Sequence, residues 1–261
     1  MSELTDTQNE IDDRLIPIDR VGIKGLRFPV EVREKDGGTQ RTVATAALTV
    51  DLPAHLKGTH MSRFVEALHE HGTILDVATV EDLPRNLLDR LFARRAHVEF
   101  QFPFFISKAA PVTGKPGLVD YEVKFTVGVD VDNGCDFILT VIVPVATLCP
   151  CSKAISERGA HNQRGTITYS VRSSTPLAIE ELIRIAEESA SCELYSMLKR
   201  PDEKAVTERA YDNPVFVEDV VRNVAKFSDA RPEITWYRIE VENFESIHNH
   251  SAYAVIEKQV R

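Results

Sequence analysis

Apolar and polar residues alternate along several stretches of this chain, and between those stretches the period lengthens to that of a helix. Val21 to Arg33 and Thr42 to Leu52 read as strands, with Asp36-Gly37-Gly38 turning the chain between them. Met61, Phe64, Val65 and Leu68 then recur at helical spacing, and Gly72 supplies the stop. A second helix is predicted with Leu87, Leu88, Leu91 and Phe92 on one face. Alternation returns at Val98, Phe100 and Phe102, and again from Tyr121 through Val123, Phe125 and Val127 to Val129.

The second half repeats that order. Asn133-Gly134 is a strong short hairpin signal and leads into a strand over 137–145. Ile167, Tyr169 and Val171 alternate in the next strand. Thr175-Pro176 reads as a helix opening, continued inward by Ile179, Leu182, Ile183 and Ala186. Asn213-Pro214 opens another helix with Phe216, Val220, Val224 and Phe227 on its buried face. Tyr237 to Val241 and Tyr253 to Ile256 close the chain as strands, while 202–211 reads equally as helix or structured loop. The expected fold is therefore α+β: two ββααββ units, at 21–133 and 134–261, after a loose acidic stretch over 1–20. A sheet with helices on one face leaves its other face and its edges open, which favours association of subunits.

Composition narrows the class. Of 261 residues, 31 are Lys or Arg and 40 are Asp or Glu, for a net charge of −9. That balance argues against nucleic-acid partners, since phosphate backbones reward clustered positive charge. No run of eighteen apolar residues exists, so no membrane partner is expected, and the N-terminal stretch lacks the basic start and apolar centre of a secretory signal. A cytoplasmic protein is expected. Four cysteines in a chain this long do not form a disulfide framework. Two of them, Cys149 and Cys151, sit one residue apart, whereas a redox pair is more usually separated by two.

The densest chemistry lies in LCPCSKAISERGAHNQRG at 148–165, between two strands. A thiolate from Cys149 and an imidazole from His161 suit zinc or another divalent metal if the segment folds back on itself. Buried as small hydrophobes, the cysteines would need no such role. Of the remaining cysteines, Cys135 falls in a strand and Cys192 in a helix, so neither completes a four-thiolate structural site. ENFESIHNHSAY at 242–253 gathers Glu245, His248 and His250 between two strands, as material for proton transfer or as a solvated hairpin tip. Glu218 lies just past the first turn of the helix opened at Asn213-Pro214, and Glu203 stands beside Asp202 and Lys204. KGTHMSRF at 57–64 places basic side chains at a helix start, where an anion can sit.

Together these segments, with DEKAVTERAYDNPVFVED at 202–219, resemble GTP cyclohydrolase of the IB type, within the tunnelling-fold superfamily. The resemblance covers nearly everything after about residue 20 and agrees with the tandem ββααββ reading. It implies conversion of GTP and water to 7,8-dihydroneopterin triphosphate and formate, on the route to tetrahydrofolate. It implies Cys149, His161 and Glu203 as ligands of a divalent metal, zinc or manganese with iron also compatible, leaving one position open. Metal-activated water would attack C8 of the purine, while His248, with Glu245 and His250, would move protons. Glu218 would take hydrogen bonds from the guanine N1–H and amino group, a pairing adenine lacks. Lys57, His60, Arg63, Lys153 and Arg164 are the candidates for the triphosphate. A homotetramer with active sites between subunits follows from the same resemblance. Three alternatives keep the fold: an iron enzyme giving a cyclic phosphate, a metal-free nitrile reductase adding substrate to Cys149, and a purine binder without turnover.

Overall fold

The computed structural model describes residues 6–77 and 79–260. Among these residues, ten strands and six α-helices fall into two compact units. The first takes the chain up to Arg33 together with Gly37–Phe102 and Lys124–Ile138; the second takes Glu34–Asp36, Pro103–Val123 and the chain from Leu139 onward.

In the first unit β1 (Ile18–Arg33) and β2 (Thr39–Leu52) form a long antiparallel pair. Helices α1 (Met61–His71) and α2 (Asp82–Leu91) follow, with the short β3 (Ile74–Leu75) between them pairing parallel to β1. Strand β2 pairs antiparallel with β4 (Arg95–Ala109), next to β5 (Pro116–Asp130). Phe64, Leu68, Leu83 and Leu87 from the helices are buried, as are Leu48, Val98 and Phe100 from the strands. Gly72 ends α1 as expected, at φ 84°, donating its N–H to Leu68 O. Leu91 does not share the fully buried face of α2, and Phe92 leaves it altogether. Phe92 follows the helix in the left-handed region at φ 51°, which turns its ring outward, 83% exposed. Before β1, a 3₁₀ turn at Thr7–Asn9 and a bridge from Ile11 to Leu56 run beside the segment leading to α1.

In the second unit the strand order runs β10 (Ser251–Gln259), β9 (Ile234–Phe244), β7 (Asn162–Ser173), β6 (Gly134–Leu148), with the two-residue β8 (Cys192–Glu193) also on β6. Cys192 is thus a strand residue rather than a helical one, and burial pushes its thiol up to about 11. Helices α4 (Ile179–Glu188) and α6 (Val217–Asp229) cover the sheet face that carries Ile167, Tyr169, Ile239 and Val241. The segment over 202–211 is helical, inside α5 (Arg200–Asp212).

Both helix openings shift from their expected places, for identifiable reasons. Ser174 N–H donates to Glu233 O, so 174–178 stays outside the helix and α4 starts at Ile179. Asn213 spends its side-chain amide on Ala190 O and Ser191 O, so α6 starts at Val217. Its buried stripe is accordingly Val217, Val220, Val221 and Val224, and Phe216 and Phe227 are exposed.

Candidate active site

Strands β6 and β7 pair in register from Leu139 opposite Val171 to Leu148 opposite Asn162. One step further along, Cys149 faces His161, and Cys149 N–H donates to His161 O at 3.1 Å. The residues between them do not form an irregular loop throughout. Pro150 presets the first turn of a short helix, α3 (Pro150–Ile155), and Cys149 is its N-cap, with Sγ accepting from Ser152 N–H at 3.5 Å. Ser152 then ties the two ends together: its hydroxyl donates to Cys149 O and accepts from His161 N–H, both at 3.2 Å. Gly159, at φ 138°, makes the return turn.

Alternation along β7 places Gln163 and Gly165 on the same side as His161. Gly165 faces Asn243 on β9, and a Cβ on that glycine would lie 2.5 Å from Asn243 Oδ1. The missing side chain therefore lets β9 seat Asn243 in the buried face, and Glu245 follows two residues later. His161 Nδ1 lies 3.0 Å from Gln163 Oε1, Gln163 Nε2 donates to Glu245 Oε1 at 3.4 Å, and Glu245 Oε2 stands 4.0 Å from His161 Nδ1. The His161 and Glu245 side chains are 14% and 15% exposed. Gln163 is a residue that motif reading passed over; its position two from His161 on an alternating strand was the available signal.

The strand end beneath Cys149 is clamped. Leu148 N–H donates to Ser191 Oγ at 3.0 Å, and Val215 N–H donates to Leu148 O at 3.2 Å. Asp202 fixes the start of α5 by accepting from Lys199 N–H, Val112 N–H and both the N–H and hydroxyl of Thr113. Burial acts to raise its pKa, and those hydrogen bonds outweigh it, holding the carboxyl well below the usual carboxylate range.

The other expected residues are distributed as follows. His248 and His250 are exposed in the β9–β10 turn, their rings stacked 4.9 Å apart. Glu218 is exposed within the first turn of α6, not beyond it, because the helix starts late. Glu203 is exposed in the first turn of α5. Lys153 reaches Tyr211, donating to its carbonyl and lying 4.3 Å from its ring centre. Arg164 is exposed on β7. In the first unit Lys57 pairs with Glu10, His60 lies 3.3 Å from Asp6, and Arg63 donates to Arg90 O.

The donor chemistry of the Cys149–His161 pair fits a divalent metal: one sulfur and one imidazole, held together by their own backbone and partly shielded from water. Glu203 does not join them here. Among the described residues no group of three His, Cys, Asp or Glu side chains forms a metal-holding arrangement.

The fold defines the first level of identity. Urate oxidase from Bacillus subtilis superposes with a TM-score of 0.55 over 92% of this chain and 98% of its own, at 7% identity. The uricase of Arthrobacter globiformis gives 0.51 over 93% of each chain at 11% identity. At such identities the likeness is one of fold, and the fold is the tunnelling fold. The family follows from sequence. The model of the type I GTP cyclohydrolase folE2 family matches residues 4–254. GTP cyclohydrolase FolE2 of Akkermansia muciniphila is 64% identical over the whole of both chains, and that of Nitrosomonas eutropha is 53% identical over 99% of this chain and 97% of its own. The chain belongs to the FolE2 family of GTP cyclohydrolases.

Proposed function

We propose that this enzyme opens the imidazole ring of GTP, releasing formate and leaving 7,8-dihydroneopterin triphosphate, at a site centred on Cys149 and His161. The observation that supports this most is the backbone pairing of those two residues at the β6–β7 end, inside a segment the family match spans. Cys149 and His161 would hold the metal, zinc or manganese with iron compatible, and Glu203 would supply the oxygen ligand. Bound there, the metal would supply Lewis-acid activation of water for attack on the purine.

The remaining work falls to the protein. Glu218, exposed in the first turn of α6, accepts from the guanine N1–H and amino group, so adenine is refused. His248 gives and takes a proton at an imidazole nitrogen during ring opening, with Glu245 and His250 as neighbouring proton holders. Lys57, His60, Arg63, Lys153 and Arg164 serve the triphosphate, locally opposing a net charge of −9. The active form is a homotetramer, with sites completed between subunits, which is how Glu203 would reach a neighbour's Cys149 and His161.

Product analysis tests the reading. Incubation with GTP and a divalent metal should release one formate per GTP and give a linear pterin triphosphate by mass. A cyclic phosphate would move the assignment to the iron-type outcome, and binding without formate would overturn catalysis.

A further inference from the structure

We infer that Gln163 is a positioning residue that fixes the proton of neutral His161 on Nδ1 and so presents Nε2 as the free lone pair. The inference rests on reading His161 as a metal ligand. It uses contacts that no step of the proposed reaction employs.

The Gln163 amide nitrogen faces Glu245, Nε2 lying 3.4 Å from Oε1 and donating to it. That orientation turns Gln163 Oε1 towards His161, where it lies 3.0 Å from Nδ1. A carbonyl oxygen is an acceptor, so Nδ1 must carry the hydrogen and donate it. The second carboxylate oxygen, 4.0 Å from Nδ1, favours the same proton position. With Nδ1 committed, Nε2 is the nitrogen left to coordinate. A carbonyl behind the ring also makes the ligating nitrogen more basic and holds the ring plane.

The fold holds this relay in place. Gln163 is 8% exposed, so its amide has little water to turn towards. Gly165, two residues on, admits Asn243, and that seating brings Glu245 alongside Gln163. A flipped amide would set oxygen against carboxylate and leave the buried pair mispaired.

Two variants of the full-length chain test the inference, Gln163→Met, which keeps the volume but not the acceptor, and Gln163→Glu, which keeps an acceptor towards His161 once it and Glu245 share a single proton. The first readout needs no metal: long-range proton–nitrogen correlation on deuterated protein carrying nitrogen-15 histidine, with His161→Gln assigning the signal. We expect an Nδ1–H tautomer in the wild type and in Gln163→Glu, and its loss in Gln163→Met. An Nε2–H tautomer in the wild type overturns the inference whatever the metal does. The second readout is zinc affinity by competition with a chromophoric chelator. Gln163→Met should bind zinc about ten- to hundredfold more weakly, with Gln163→Glu much closer to the wild type. Equal affinity in wild type and Gln163→Met overturns the inference. Wild-type protein that takes up no metal overturns the proposed function instead, and the tautomer then decides this point alone.

Discussion

Cys149 and His161 are partners through the backbone before any metal joins them, because Cys149 N–H donates to His161 O and Ser152 bridges both residues. Replacing Cys149 by Ala leaves those bonds intact and removes the sulfur together with its weak cap contact to Ser152 N–H. Cys149→Ala should therefore fold, lose metal and lose turnover, whereas Cys151→Ala, altering an exposed side chain, should be milder. Equal activity in both, measured as formate release, would contradict the assignment. A different residue sets part of the acid limit. Burial acts to raise the pKa of Glu193, but hydrogen bonds from Tyr195 and Arg209 outweigh it and hold it at about 2, against 4.5 ordinarily. A pKa lower in the folded state means stabilisation that is fully present above about 4.5 and lost as pH falls towards about 2. Glu193→Gln should be less stable than the wild type near neutrality, with the gap in Tm closing across that window. A gap independent of pH would contradict this.

The strands carry the precision of the site. Gly165 lies opposite Asn243 where β7 pairs with β9, and its replacement by Ala would set a Cβ 2.5 Å from Asn243 Oδ1 and 3.1 Å from Glu242 O. Gly165→Ala should cost about 1–3 kcal/mol in chemical denaturation, as overpacking does, and should lower activity more than Gly128→Ala, whose Cβ meets nothing closer than 3.9 Å. Ser191 acts on the other side by accepting Leu148 N–H. With Ser191 only 2% exposed, Ser191→Ala strands a buried donor and should cost about 1–3 kcal/mol. A loss of a few tenths, read from denaturant midpoints at constant slope, would show that the clamp is slack. Alternation and helical spacing made most of these strands and the first helix legible, down to Gly72 as the stop of α1. What they concealed were residues with long-range partners: Asn213, which gives its amide to Ala190 O and Ser191 O, and Ser174, whose N–H and hydroxyl both donate to Glu233 O. Each delays a helix that local capping preferences would start sooner.

At the scale of the whole molecule, the tandem strand and helix order pointed to the α+β class, and the segments at 57–64, 148–165, 202–219 and 242–253 carried the resemblance that the family match supports. The segment at 148–165 offered Cys149 and His161 as a metal pair, because a thiolate and an imidazole suit a divalent ion, beside the plainer reading of a small buried thiol. The role of Gln163 was hidden, since nothing in its local sequence separates it from any polar residue on an alternating strand. No helix among the described residues is long and apolar enough to cross a membrane. The tetramer expected from the resemblance makes its own prediction: dilution below the dissociation constant of the assembly should lower specific activity, since sites completed between subunits come apart. Specific activity independent of concentration, with a monomer by light scattering, would contradict intersubunit sites.

The most direct test is formate release from GTP by metal-stripped wild type and Cys149→Ala, each before and after zinc, manganese or iron is restored. The wild type should be silent when stripped and recover with at least one metal, giving the linear triphosphate, while Cys149→Ala stays silent throughout. Full activity in the stripped wild type, or recovery in Cys149→Ala, would contradict a metal centre built on Cys149 and His161.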